Sequence, residues 1–391
     1  LRLAQITRFP LPLTDNETSG EARMMSILAS MILLAMASRV HGQGKDTSLL
    51  QVRTSASKMD SSPLEFKMPL EGRHSECRNK QYDLSAMPSV AVVIPYLHED
   101  LGLIEKTIGS LLTNTPPQLL DEIVLVDDGN DESHSFASVL ASLDPKVKVH
   151  RNKERQGLIK AKVTGASVTK SPVIVFLEPH CIANRQWLEP LLERLLESHR
   201  RVVVPVIDIL PESHTDDYTY VGDMYGGFGW NLEFTWPGTA HSRNSSYRVP
   251  EPYPMPSMSG GLFAIWRDWW EESGTYDTEM REWGSEHIEI SLRTWRCGGS
   301  VEAVPCSRVG HMFRKKRPYS FHGEAALRNK KRLTAVWLES HVAEVKAAVG
   351  HNVDDFSDAG DLEGRRRLKQ RLGCKSMDWY ISNVYPELAK K

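Results

Sequence analysis

An α/β fold with a mostly parallel sheet and helices on both faces is the fold class that this sequence predicts. Short apolar runs alternate along the 391-residue chain with segments of helical periodicity, which is typical of β-α-β units. The composition, 40% hydrophobic and 25% charged, is that of a protein able to bury a large core. Apolar runs continue to about residue 386 without a clear internal linker, so we expect one folded domain at residues 76–391.

The predicted elements follow one another in a regular order. Strands are predicted at short runs rich in Val and Ile, namely residues 90–94, 123–126, 147–150, 173–177, 202–207 and 301–304. Helices are predicted at residues 103–112, 132–143, 158–168, 187–196, 286–295 and 325–348. Residues 210–256, rich in Gly, Trp and Pro, should form loops and irregular strands around a cleft. Charged residues at 354–371 predict a solvated linker into a final helix.

Residues 24–37 form an apolar stretch whose length suits a signal-peptide core better than a membrane span. A cleaved signal peptide and a short type II anchor, with membrane attachment through this stretch, both stay open. Residues 1–42 are therefore assigned to an upstream extension plus signal or anchor, and residues 43–75 to a polar stem. Either alternative sends the chain into the secretory pathway.

Charge and cysteine content narrow the class of protein further. The net charge of −2 gives no reason to expect nucleic-acid binding. Five cysteines without a C-x-x-C pair favour disulfides in an oxidising compartment over a structural zinc site. The sequon at Asn244 fits a lumenal loop.

Two short clusters carry the strongest chemical signal. Glu178 and His180 follow the predicted strand 173–177, and His311 is followed by Arg314 and Lys315. Ligands collect at the carboxyl ends of strands in open α/β sheets, and a carboxylate with imidazoles suits a divalent metal of the Mn type. A single acid or histidine at a strand end is more often a capping residue, so the prediction depends on both clusters together.

The nucleotide-binding signals are consistent with a metal-held diphosphate. No G-x-G-x-x-G follows the first predicted strand, and no Walker A sequence occurs. Without a backbone cradle, a diphosphate needs another counter-charge, which a bound metal supplies. Asp127 and Asp128 end the second strand, where they either grip a ribose or base edge or form a turn before Gly129.

Several segments in register resemble the catalytic domain of the UDP-GalNAc:polypeptide N-acetylgalactosaminyltransferases. They include residues 122–128, 157–161, 225–228, 259–263, 283–286 and 309–311, and the resemblance extends over residues 75–388. It implies a GT-A glycosyltransferase fold, with a Rossmann-like sheet, in the Golgi lumen. It also implies transfer of GalNAc from UDP-GalNAc to Ser or Thr of polypeptide acceptors, with retention, at the start of mucin-type O-glycosylation.

The resemblance also assigns roles to individual residues. Glu178, His180 and His311 would bind Mn²⁺, and Asp127 would lie near the uridine. Gly260 and Gly261 would let the donor sugar approach the backbone, and Glu286 would hold the hydroxyls of that sugar. A mobile loop packed against Trp283 would close over the diphosphate through Arg314, Lys315 and Tyr319.

The family pattern further implies disulfides Cys77–Cys306 and Cys297–Cys374, with Cys181 free. Three departures from that pattern motivate an alternative, an inactive or weak relative that binds polypeptides or other transferases. Glu178 replaces the usual Asp, residues 97–99 read Leu-His-Glu for His-Asn-Glu, and His287 replaces Asn. The C-terminal lectin domain that most relatives carry is not expected in these 391 residues.

Overall fold

The computed structural model describes residues 67–212, 217–350 and 352–390, and within them the α/β class is confirmed. The strands are β1 Val90–Tyr96, β2 Leu120–Asp127, β3 Val147–Arg151, β4 Val173–Phe176, β5 Cys181–Ala183, β6 Arg201–Leu210, β7 Met224–Phe228, β8 Phe234–Thr239, β9 Tyr253–Pro254, β10 Phe263–Trp266 and β11 Ser300–Met312. The predicted signal or anchor and residues 43–66 of the predicted stem lie outside the described residues.

Twelve α-helices occur in the described part of the chain, followed by a 3₁₀ turn at Pro386–Lys390. They are α1 Ser75–Asn79, α2 Leu101–Asn114, α3 Ala137–Ala141, α4 Leu158–Val168, α5 Glu189–Leu196, α6 Ala240–Arg243, α7 Arg267–Glu272, α8 Glu286–Arg296, α9 Gly323–Trp337, α10 Val342–Val349, α11 Glu363–Arg371 and α12 Met377–Asn383. Of the described helices, none is both long and apolar enough to cross a bilayer.

One mixed sheet positions the site, with strand order β3-β2-β1-β4-β10-β6-β11-β5. Strands β1 to β4 pair in parallel, as predicted, and β6 pairs in parallel with β11. Between these two groups, β10 runs antiparallel to both of its neighbours. The expected parallel pairing is therefore present in both groups, and the antiparallel strand between them makes the sheet as a whole mixed. Every residue of β1 and β4 is buried, which explains their continuous apolar sequences.

Three predicted elements differ from the structure. The helix predicted at 132–143 is reduced to α3, because the Asp131 carboxylate accepts hydrogen bonds from the backbone of Ser133 and His134 and forms a turn. The helix predicted at 325–348 ends after α9 and restarts as α10, separated by a turn in which the His341 N–H bonds the Leu338 carbonyl at 2.8 Å.

The charged stretch predicted as a linker contains α11, in which Arg365 and Lys369 make tertiary contacts. Arg365 lies 3.5 Å from the buried Asp277 carboxylate and donates to the Gly274 carbonyl at 2.8 Å. Lys369 pairs with Glu339. These tertiary contacts order a segment whose composition alone indicates solvation.

The disulfides Cys77–Cys306 and Cys297–Cys374 are both present, and Cys181 is free and buried, so the cysteine assignment is confirmed. Cys306 lies where β11 shifts register against β6, between Val304 and Arg308. Such bonds persist in oxidising compartments, which agrees with a protein of the secretory pathway.

Candidate active site

The carboxyl ends of β1, β2, β4 and β11 border a cavity of about 340 Å³. Side chains reach it from the segments that follow these strands, as expected for an open α/β sheet. They include Glu99 after β1, Asp128 after β2, and Glu178 and His180 after β4. His311, near the end of β11, closes the same side.

Glu178, His180 and His311 lie together, with one potential ligand atom of each within 4.8 Å of the others. Glu178 Oε2 is 2.6 Å from His311 Nε2 and 3.2 Å from His180 Nε2. Two imidazoles and a carboxylate that lie together supply nitrogen and oxygen donors that Mn²⁺ and other first-row divalent ions accept. The residues present therefore fit a metal centre.

Glu99 orients this cluster from outside. Its Oε2 lies 2.8 Å from His180 Nδ1, so the Nε2 atom of that ring faces the other two residues. A carboxylate on the far nitrogen of a metal-binding histidine fixes the ring and strengthens its basicity. Glu99 is only 3% exposed and also pairs with Arg314. Sequence reasoning did not select Glu99 as a site residue.

Electrostatic coupling within the cluster is strong. Burial opposes ionisation of Glu178, but the neighbouring imidazoles of His311 and His180 outweigh it and hold the pKa of this carboxyl well below its usual range. Burial likewise opposes the charge on His180, yet hydrogen bonds to Glu178 and Glu99 raise its pKa to about 9. In the metal-free protein the cluster therefore holds a proton that a bound cation would displace.

Gly261 sits against the carboxylate of the cluster. A Cβ atom at this position would lie 2.7 Å from Glu178 Oε1, closer than any ordinary contact. The adjacent Gly260 has φ +86°, and its carbonyl accepts a 2.6 Å hydrogen bond from the fully buried Lys162 ammonium. Gly261 thus leaves room for the Glu178 carboxylate, and Gly260 leaves room for the His287 side chain, whose Cβ would lie 2.5 Å from an added Cβ.

A loop rich in cations and aromatic rings, residues 313–321, forms another wall. The Arg317 guanidinium lies 4.2 Å from the ring centre of Trp283 and 4.7 Å from that of Phe321. Arg155 lies 5.6 Å from the ring centre of Tyr319. These cation–π contacts hold the loop against the body of the domain without regular secondary structure.

Comparisons with known proteins agree with this geometry. The profile described as "Glycosyl transferase family 2" matches residues 91–272, and "N-terminal domain of galactosyltransferase" matches residues 240–317. Polypeptide N-acetylgalactosaminyltransferase 4 of Caenorhabditis elegans is 42% identical over 82% of this chain and 55% of its own length. Polypeptide N-acetylgalactosaminyltransferase 14 of Homo sapiens is 39% identical over 81% of this chain and 57% of its own length.

This chain belongs to the polypeptide N-acetylgalactosaminyltransferase family. The crystal structure of GalNAc-T7 with UDP, GalNAc and Mn²⁺ matches it with a TM-score of 0.73 and 29% identity, over 82% of this chain and 61% of that one. The GT-A fold expected from the sequence is thereby confirmed. The chain spans little more than half the length of the curated relatives it matches.

Within this family fold, the structure brings most of the predicted site residues to the cavity. The following predicted residues line it: Glu178, His180, His311, Gly261, Trp283, Arg314 and Tyr319. Gly260, the residue before Gly261, does not line the cavity. Lys315 is exposed on the loop 313–321 and does not line the cavity either. Glu286 begins α8 and is 3% exposed, with its carboxylate 2.6 Å from the Gly284 N–H.

Asp127 does not reach the cavity, whereas its neighbour Asp128 does. The Asp127 carboxylate is buried and accepts hydrogen bonds from the Asn130 N–H and the Ser135 hydroxyl, the turn-forming alternative left open by the sequence. Asp128 accepts from the Gly157 and Gln156 N–H groups, and burial raises the pKa of its carboxyl. The sequence signal for Asp128 as a site residue was its place at the end of a predicted strand.

Proposed function

We propose that this protein transfers N-acetylgalactosamine from UDP-GalNAc to Ser or Thr hydroxyls of polypeptides, with retention of configuration. The observation that carries the proposal is the cluster Glu178, His180 and His311 at the carboxyl edge of the sheet, beside a cationic loop. Family membership supports the donor, and the GalNAc-T7 structure with UDP, GalNAc and Mn²⁺ supports the metal.

The three clustered residues would hold Mn²⁺, which when bound acts as a Lewis acid on the leaving diphosphate. Glu99 keeps the His180 ring in position through its 2.8 Å contact with Nδ1, which leaves Nε2 for the metal. A diphosphate bound at this sheet would need a counter-charge held by side chains, because no glycine-rich loop follows β1 to bind the phosphates through backbone N–H groups.

The donor sugar would enter beside Gly260 and Gly261, where the lack of side chains leaves the backbone accessible. Glu286 would accept hydrogen bonds from its hydroxyls, and Asp127 would hold the uridine end of the site indirectly. Asp127 bonds the Asn130 amide that also donates to the Tyr96 carbonyl, so it fixes the cavity wall.

The loop 313–321 would close over the diphosphate. Arg314 and Lys315 supply positive charge, and Tyr319 and Trp283 supply apolar surface that excludes water from the donor sugar. Water exclusion protects an activated sugar from hydrolysis while the acceptor hydroxyl attacks from the face of the departing phosphate. Such a front-face reaction requires no covalent nucleophile from the chain.

One observation favours a second function, that of a polypeptide-binding relative with little catalysis. Glu178 stands where the family usually has Asp, and its extra methylene places the carboxylate within 2.6 Å of one imidazole. A carboxylate that is already paired with both imidazoles could hold the cluster closed without a metal. UDP binding without transfer, with or without Mn²⁺, would identify this second function.

The setting proposed for this chemistry is the Golgi lumen, where the two disulfides would persist. We propose attachment to the membrane through residues 24–37 in the case that they are not removed as a signal peptide.

The deciding experiment measures GalNAc transfer from UDP-GalNAc to a Thr- and Pro-rich peptide, with Mn²⁺ or with EDTA. We expect transfer that requires the metal and that His180→Ala abolishes. His199→Ala is a matched control, because His199 also contacts a carboxylate, Asp268 at 2.7 Å, but on the exposed surface. Absence of transfer by the parent protein, with UDP binding retained, would reject the enzyme in favour of the second function.

A further inference from the structure

We propose that His98, Asp131 and His134 form a second metal site, for a first-row transition-metal dication of the Zn²⁺ type. One ligand atom from each residue lies within 4.8 Å of the others. This cluster shares no residue with the one at the cavity. The proposal does not depend on the transferase function, because it concerns metal binding alone.

The geometry of this second cluster parallels that of the first. The His98 and His134 ring centres are 4.9 Å apart, the same separation as for His180 and His311. A carboxylate completes the set in each case. Asp131 Oδ1 lies 3.0 Å from His134 Nδ1, and Asp131 Oδ2 lies 3.8 Å from His98 Nε2.

The donor atoms need only a small movement to reach coordination distance. With metal–nitrogen bonds of about 2.0 Å in a tetrahedral shell, neighbouring ligands are about 3.3 Å apart, so the widest pair closes by about 1.5 Å at most. The side chains of His98, Asp131 and His134 are 38%, 58% and 41% exposed, so all three are accessible to an ion from solvent. Waters can then fill the remaining coordination positions.

The chemistry of the donors selects the class of ion. Two imidazole nitrogens and one carboxylate oxygen suit Zn²⁺, Co²⁺, Ni²⁺ or Cu²⁺ better than Mg²⁺ or Ca²⁺, which prefer oxygen ligands. Asp131 is positioned before any metal binds, because its Oδ1 also accepts from the Ser133 N–H at 3.0 Å and the Ser133 hydroxyl at 2.7 Å.

The bound ion would join two segments that border the cavity. His98 follows β1, whereas Asp131 and His134 follow β2. The two segments already meet through the His98 N–H, which donates to the Asn130 side-chain oxygen at 2.7 Å. Because Glu99 is next to His98 and holds His180, the second metal would brace the support of the first cluster.

The test is a Zn²⁺ titration of the full chain after removal of metal, read by calorimetry. We expect the parent to bind two equivalents, one at each cluster. His98→Asn should lose one equivalent, with its affinity lowered at least about 100-fold, because even partners that only orient a ligand are worth up to that factor. Asn is chosen because residue 98 has φ +48°, a conformation that Asn adopts readily.

Four further variants make the result decisive. His134→Ala should lose the same equivalent. His199→Ala should lose none, because it removes an exposed histidine that pairs with one carboxylate, Asp268, outside both clusters. A His180→Ala/His311→Ala double variant should retain one equivalent, which His98→Asn then removes. Thermal unfolding without metal verifies that each variant is folded. Titrations of His98→Asn and His134→Ala that match the parent would overturn the proposal, as would zero equivalents in the folded double variant.

Discussion

Shortening Glu178 to Asp is the sharpest test of the proposed metal centre. The Glu178 carboxylate lies 2.6 Å and 3.2 Å from the two imidazoles, so the side chain as it stands converges with them. Removal of one methylene withdraws the carboxylate by about 1.5 Å. A positioning error of about 1 Å can lower a rate about 100-fold. That factor corresponds to about 2.7 kcal/mol of activation free energy.

We therefore expect Glu178→Asp to lower Mn²⁺-dependent transfer about 100-fold and to raise the Mn²⁺ concentration at half-maximal rate. The assay is peptide glycosylation followed over a Mn²⁺ titration at saturating UDP-GalNAc. Glu302→Asp is the control, since Glu302 is also buried and paired, with Arg194 and Arg201, but lies outside the cavity. Equal or greater transfer by Glu178→Asp would refute the reasoning, because the shorter side chain would then be the better ligand.

Three other perturbations have outcomes that the structure predicts. Gly261→Ala places a methyl group 2.7 Å from the clustered carboxylate; overpacking of this kind costs about 1–3 kcal/mol, so a Mn²⁺ titration of transfer should show at least about a fivefold loss. Glu99→Gln should weaken Mn²⁺ binding by about 10–100-fold in calorimetry, since it removes the charge that orients His180; unchanged affinity would contradict this role. Replacing both Cys297 and Cys374 by Ala opens a 77-residue loop and should lower the free energy of unfolding by about 4.5 kcal/mol in urea titrations; a loss below 1 kcal/mol would be inconsistent with it.

The parts of the fold that sequence predicts well are those decided by local pattern. The runs that became β1 and β4 are apolar throughout because both faces of the central sheet are covered. No strand was predicted at the position of β10, and its direction could not have been predicted either, since a buried four-residue strand has the same pattern in either orientation. The break between α9 and α10 was also missed, because helical periodicity continues across the turn that separates them.

The site shows the same division between local and distant information. Glu178 and His180 follow a recognisable strand, so their position at the sheet edge was predictable from the chain itself. The partner of His180 was not, because Glu99 lies 81 residues earlier and its role depends on the parallel pairing of β1 with β4. Asp127 and Asp128 could not be told apart by sequence, since only tertiary contacts decide which carboxylate turns into the cavity.

Glu99 also connects the cluster to the loop that we propose to close over the donor. One of its oxygens contacts His180, and the other pairs with Arg314 on the loop. Because Arg314 is one of the cations proposed to bind the diphosphate, a donor phosphate competes with Glu99 for the same guanidinium. Transfer of Arg314 to the phosphate would leave Glu99 bonded to His180 and to the Asp100 N–H, without a cation to compete for its charge, so that this charge supports the metal ligand. Donor binding and metal binding should therefore strengthen each other through this one carboxylate.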